Sequence, residues 1–333
     1  MTDRDLTFDV LKGFLIITVI LGHAISNLSG DPWHDKIFNF IYLFHMPLFI
    51  FISGYFSTSI GKYSLRDFLK RRTKRIMVPY VTYTIIGVIY GIDHFRSLFI
   101  NPESSISDWC RLVFMNLVGN WYLLCVFILT LSFYPLVKWL YSKKKPDLIV
   151  FLGIITIWIL LFNLCRYHIF ESIERIQLVR HFPVFGSGLL WHYWILKKKP
   201  QHIGVAFLVL SFIVLLINIH INGIWVVDYN ITCRILSNLC FVALLYPLLT
   251  KIAWVIKQYT TLIKSGLSYI GYNSLGFYLI HGFFIKTVAY WMPSSLNIYI
   301  SSIVCTFICM FICMAIIELI KLIFKENSYL FGI

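Results

Sequence analysis

Apolar residues in this chain neither alternate with polar ones, as in a half-buried strand, nor keep to one stripe of a helix. They come in long runs, such as Leu148 to Leu164, that are apolar on every side. A helix crossing the hydrocarbon core of a bilayer needs roughly 20 mostly apolar residues, whereas a membrane barrel strand alternates over about ten. The runs therefore predict helices in lipid, with approximate bounds 8–28, 37–60, 76–93, 120–141, 147–164, 178–196, 202–220, 231–251, 268–291 and 297–323. The expected fold is an all-α integral membrane protein, one domain over 1–333 built as a bundle of about ten transmembrane helices.

Composition agrees, since 59% of residues are hydrophobic and 13% charged, against about 25% charged in a soluble domain. The net charge of +14 would suit nucleic acid or acidic lipid, so the placement of the basic residues decides. With both termini cytoplasmic, the inner side takes Arg4, Lys12, the seven basic residues from Lys62 to Arg75, Lys138, Lys143 to Lys145, Lys197 to Lys199, Lys251, Lys257, Lys264, Lys321 and Lys325. That is 21 of the 29 basic residues, the asymmetry of the positive-inside rule. Loops 93–108, 165–177 and 221–230 then face outward. The bilayer is the expected partner, and nucleic acid is not.

The first run contains Asp9, Lys12 and His23 and lacks a small-residue cleavage site, so it reads as helix one and not as a cleavable signal. The eight cysteines form no CxxC pair, which predicts neither a disulfide framework nor a metal site. Cys305, Cys309 and Cys313 read as small packing residues on one helical face. Glu171 and Arg175, four apart in the Arg166 to Arg180 loop, suit a short interfacial helix or a plain solvated connector. The chain shows no internal repeat, including the inverted repeat usual in secondary transporters.

A titratable side chain at mid-bilayer costs at least about 2.5–3.5 kcal/mol on insertion scales, so such residues tend to face the bundle interior and mark function. Lys12 and His23 are eleven residues apart, three turns plus about 20° with a rise of about 16 Å. They share one stripe, Lys12 toward the cytoplasmic end and His23 in the outer half. Asp9, three residues before Lys12, is within reach as its ion-pair partner. The plainer readings are a snorkelling anchor for Lys12 and an interhelical hydrogen bond for His23; the shared stripe weighs against both. The second run carries His45-Met46-Pro47-Leu48-Phe49 and Ser53-Gly54-Tyr55, and the ninth carries Asn273-Ser274 and His281. Ser274 and His281 are seven apart on one face. His23, His45 and His281 are candidates for one polar cavity, although spacing alone does not bring three helices together.

At these residues the chain resembles the membrane-bound acyltransferase-3 family, whose bacterial members move acyl groups onto surface polysaccharides, lipopolysaccharide or peptidoglycan. The family's opening pattern matches Asp9, Lys12 and His23, with lysine where many members have arginine, and the second-helix motif matches residues 45 to 55. The family's Arg-x-x-Arg element before the third helix matches Arg72 and Arg75, followed by Pro79. Weaker echoes are Trp121-Tyr122-Leu123, the Arg180 to Gly188 stretch, and Asn273-Ser274 with His281. The resemblance is to the compact form, without a soluble C-terminal domain.

The resemblance implies a multi-pass protein of the bacterial cytoplasmic membrane that uses cytoplasmic acyl-coenzyme A, usually acetyl-coenzyme A, as donor substrate with no permanently bound cofactor. The implied acceptor is a carbohydrate hydroxyl: O-antigen, capsule, exopolysaccharide, another lipid-linked glycan or peptidoglycan. Arginine's planar fork suits phosphate oxygens, so Arg72 and Arg75 are the donor-binding candidates; a pure topology signal is the rival reading. The reaction needs a base, and His23 is the candidate, with Lys12 and Asp9 completing its network. His45, Ser53, Tyr55, Asn273, Ser274 and His281 are candidates for orienting substrate. A transporter or flippase for a small anion or lipid-linked sugar would also place such groups in a bundle and is the competing class. Neither the acceptor position nor the oligomeric state is readable from the chain.

Overall fold

The computed structural model describes residues 6–90, 119–143, 156, 177–197, 231–259 and 261–333. Among them every regular element is helical: α1 (Leu6–Leu28), a 3-10 turn (Pro32–His34), α2 (Lys36–Ser57), a second 3-10 turn (Thr58–Lys62), α3 (Leu65–Arg72), a π turn (Thr73–Met77), α4 (Val78–Tyr90), α5 (Trp121–Lys143), α6 (Leu178–Lys197), α7 (Ile231–Tyr259), α8 (Thr261–Tyr272), α9 (Ser274–Tyr290), α10 (Ile298–Phe324) and a closing 3-10 segment (Lys325–Phe331). Among the described residues five stretches are long and apolar enough to cross a membrane: Leu6–Leu28, Lys36–Lys62, Trp121–Ser142, Asn238–Gln258 and Ile298–Phe331. The protein is an all-helical membrane protein over its described residues.

The sequence runs and the helices coincide closely for α1, α2, α5, α6 and α10. Two differences have local causes. The run 268–291 is two helices, because Asn273 leaves helical geometry at φ −94 and ψ 16 and its Nδ2 donates to the Tyr269 carbonyl (2.9 Å), the local bonding by which asparagine competes with a helix. The basic stretch 62–75 is not plain loop. Ser64 caps α3 by accepting from the Asp67 amide (3.2 Å) while its hydroxyl donates to the Asp67 carboxylate (2.7 Å), a variant of the capping box. The expected helix 202–220, nearly all of 147–164, the connector helix before Gln177, and the outer loops 93–108, 165–176 and 221–230 lie outside the described residues.

The chain divides into two compact units, Met1–Tyr55 with Pro183–Ile323, and Phe56–Phe182 with Phe324–Ile333. In the first, α1 packs against α7, α8 and α9. It is apolar on all sides and buried on nearly all of them, with Leu15, Ile16 and Ile20 fully enclosed, as expected of a central helix. Glycines set how closely its neighbours come. A Cβ at Gly13 would collide with the Leu267 carbonyl of α8, and one at Gly271 with the Asp9 carbonyl of α1. The same reciprocity joins α2 to α6, where Gly54 faces the Phe185 carbonyl and Gly188 the Phe51 carbonyl. Small residues at such crossings permit the backbone approach on which membrane helix packing depends.

α9 and α10 pair antiparallel. Cys305 points its thiol at the Ile285 carbonyl (3.9 Å) and Cys309 at that of His281 (3.8 Å), and Cys313 is also buried. The opposite face of α10 leaves Ile303, Phe307 and Phe311 exposed, a surface suited to lipid. In the second unit, Tyr134 and Lys138 both donate to the Tyr63 carbonyl (3.1 Å each), and Phe68 stacks on Tyr134 at 4.5 Å. These contacts hold the start of α3 to α5.

Candidate active site

Three histidines gather at the C-terminal half of α1. The rings of His23 and His281 lie 5.2 Å apart between centroids. Tyr42 of α2 stands between His23, at 6.3 Å, and His45, at 4.8 Å. α1, α2 and α9 thus contribute one histidine each to this cluster, and Tyr42 joins them.

Hydrogen bonding fixes two of the imidazoles. The Nδ1 of His45 meets the Ile41 carbonyl at 2.6 Å, and the Nδ1 of His281 meets the Phe277 carbonyl at 3.0 Å. A carbonyl only accepts, so each Nδ1 carries the proton, and in a neutral ring the lone pair lies on Nε2. Neither ring nitrogen of His23 has a hydrogen-bond partner among the described residues, and its side chain is only partly buried. Of the three, His23 alone has both ring nitrogens uncommitted among the described residues.

The other end of α1 holds a separate group. Lys12 forms an ion pair with Asp9 at 3.0 Å, the carboxylate almost wholly buried and the ammonium about one-fifth exposed (22%). Gly271 presses on the Asp9 backbone, and two residues later Asn273 buries its side chain with Oδ1 unpaired. Tyr55 lies here too, 5.1 Å from Phe8 and 4.3 Å from His192. Phe8 precedes His23 by fifteen residues, about 22 Å of helix rise, so Tyr55 is not beside the histidines. Ser53 bonds its own helix at the Phe49 carbonyl (2.9 Å). Ser274 is half-buried in the first turn of α9.

In the second unit, Arg72 ends α3 and Arg75 lies in the π turn. Among the described residues neither has a carboxylate partner, whereas neighbouring Arg71 lies over the Tyr63 ring (4.4 Å) and Lys74 over that of Tyr329 (4.0 Å). Burial, and then the charge of Arg75, lower Arg72 to about 10, so it remains cationic at neutral pH. Single π turns recur at functional sites. No cluster of ligating side chains that would hold a metal occurs among the described residues.

Two side chains at these groups are not singled out by the sequence pattern: Tyr42, one turn before His45, and His192, beside Tyr55; aromatic residues are too common in membrane helices to mark one of them.

The chain belongs to the acyltransferase-3 family: the family model, described as an acyltransferase domain, matches residues 5–319. Among curated proteins it is similar to Nodulation protein NolL of Mesorhizobium japonicum, 33% identical over 133 residues, 38% of this chain and 34% of that protein. It is also similar to NolL of Sinorhizobium fredii, 31% identical over 41% of this chain and 40% of the relative. Glucans biosynthesis protein C of Escherichia coli is 26% identical over 44% of this chain and 41% of that protein. The match thus spans less than half the length of each of these relatives. No solved structure matches.

Proposed function

We propose that the protein transfers an acyl group, acetyl in the first instance, from cytoplasmic acyl-coenzyme A to a hydroxyl of a cell-surface or lipid-linked carbohydrate. The observation that carries the reading is the pairing of His23 with His281 inside a family acyltransferase domain. A relative named for glucan biosynthesis supports a carbohydrate acceptor.

In this reaction His23 takes the acceptor's hydroxyl proton as the oxygen attacks the thioester carbonyl. The carbon–sulfur bond then breaks, coenzyme A leaves as thiolate, and the imidazolium returns the proton to sulfur. His23 suits the base because both of its ring nitrogens are uncommitted among the described residues, whereas His45 and His281 each donate Nδ1–H to a carbonyl and keep only Nε2 for substrate. Those two serve to orient substrate through Nε2. Lys12, held by Asp9, anchors the helix-one network, and Arg72 and Arg75 bind the donor's phosphates through their planar forks. Tyr55, Ser53, Asn273 and Ser274 retain an orienting role as proposals. The protein sits in the bacterial cytoplasmic membrane with ten spans and both ends inside, and it needs no permanently bound cofactor.

The test is turnover of radiolabelled acetyl-coenzyme A by purified protein in lipid, with surface glycans compared by mass spectrometry in cells with and without the protein. Acylation of a glycan dependent on this chain supports the reading. Solute movement without donor consumption would replace it with transport.

A further inference from the structure

The turn between α1 and α2 presents a tryptophan that the reaction above does not use. Trp33 is 54% exposed, yet its backbone is held on both sides. Its amide donates to Asp31 Oδ1 (3.2 Å), the other Asp31 oxygen meets His34 Nδ1 (2.6 Å), and its carbonyl accepts from Asn39 Nδ2 (2.6 Å). Asp35 in turn caps α2 at the Phe38 amide (2.8 Å) and accepts from the Tyr299 hydroxyl of α10 (2.9 Å).

Asn39 supplies an independent observation. It is 2% exposed, and the carbonyl of Trp33 fixes its amide orientation, since only Nδ2 can donate there. Among the described residues its Oδ1 is therefore the acceptor left without a donor, an unfavourable state for a buried group unless a donor reaches it. Through the bond from Nδ2 to the Trp33 carbonyl (2.6 Å), this unmet acceptor belongs to the Trp33 turn.

The turn also leads to the histidines. Trp33 stands 6.4 Å from Tyr42 and nearly perpendicular to it (70°), and Tyr42 is the ring beside His23. All of these residues belong to the first unit.

We infer that Trp33, Asn39 and Tyr42 form a binding subsite for a sugar ring of the acceptor, next to His23. The class of ligand follows from the chemistry. A pyranose has an apolar C–H face that packs on an indole and hydroxyls that supply the donor Asn39 Oδ1 lacks. A turn already rigid loses little freedom when the ring binds, which favours affinity. The exposed Asp31 carboxylate offers further acceptors for hydroxyl groups. The inference rests on the carbohydrate-acceptor reading and adds where the acceptor lies.

The test measures binding without any donor, so that its failure is separate from a failure of acyl transfer. Full-length protein in nanodiscs is titrated with tritiated neutral oligosaccharides, a linear β-glucan, a mannan and a chito-oligosaccharide, beside its Trp33→Leu, Asn39→Ala and Trp291→Leu variants. Leucine preserves apolar bulk for insertion, and Trp291, 76% exposed, controls for loss of any surface indole. Saturable binding by the wild type, weakened several-fold in Trp33→Leu, is expected, because leucine keeps apolar bulk but lacks the flat ring face on which the sugar's C–H groups pack. Asn39→Ala should weaken it as well, with Trp291→Leu unchanged. Absence of saturable binding to all three sugars, or equal effects of Trp33→Leu and Trp291→Leu, overturns the subsite. Acetyl-coenzyme A turnover by the same wild-type preparation reports separately on the acyl-transfer reading.

Discussion

His23 on α1 and His281 on α9 bring their rings to 5.2 Å across a helix interface, and they differ in one chemical respect. His281 spends its Nδ1 on the Phe277 carbonyl, while His23 has no such bond among the described residues. The consequence is an asymmetry between the two in mutagenesis. His23→Ala should lower acyl transfer by about 10²–10⁴, the usual contribution of a positioned base, while abundance and coenzyme A binding stay near wild type. His281→Ala should lose less, because an orienting group is removed and the base remains. Normal turnover by a well-inserted His23→Ala protein would transfer the role to His281 or His45.

Arg75 lies exposed in the π turn beside Arg72. Arg75→Lys keeps the charge but loses the bidentate fork, so it should insert normally and raise the acetyl-coenzyme A concentration needed for half-maximal rate. An unchanged donor dependence would leave the cluster with a role in topology alone. Charge reversal is a poorer experiment, since it disturbs insertion as well as binding.

The helices were legible because lipid removes the ambiguity that a half-buried surface element has, and apolar runs such as 297–323 became α10 within a residue at each end. The Asp9–Lys12 pair was legible for the same reason, since spacing on a helix fixes which side chains meet, and the two do meet at 3.0 Å. Contacts across helices were not. Nothing in the period of α2 says that Tyr42 faces His23, and nothing in the apolar run 268–291 says that Asn273 breaks it. The position of Tyr55 shows the limit most clearly, for it follows His45 by ten residues in one motif yet packs on Phe8, at the far end of α1 from His23.

Topology gives an independent check on the donor's side of entry. The 62–75 stretch carries seven basic residues, which the positive-inside rule places in the cytoplasm. Reporter fusions after residue 70 and at both termini should show cytoplasmic activity only. An external signal at 70 would remove Arg72 and Arg75 from a cytoplasmic donor site whatever their chemistry.

The crossing of α1 and α8 makes the last prediction, and here two glycines of one helix should respond in opposite ways. A Cβ at Gly271 would fall within bonding range of the Asp9 carbonyl, whereas one at Gly266 meets nothing within 4 Å. Replacing a helical glycine by alanine normally stabilises by about 0.5–1 kcal/mol, so Gly266→Ala should melt at or slightly above the wild-type temperature in the same detergent. Gly271→Ala has to push backbone against backbone, and forced overpacking typically costs about 1–3 kcal/mol. It should melt lower and, because Asp9 is the residue displaced, lose acyl transfer together with stability. Gly271→Ala melting as high as Gly266→Ala would mean that α8 does not lie against Asp9 at this distance, and the helix-one network would need another support.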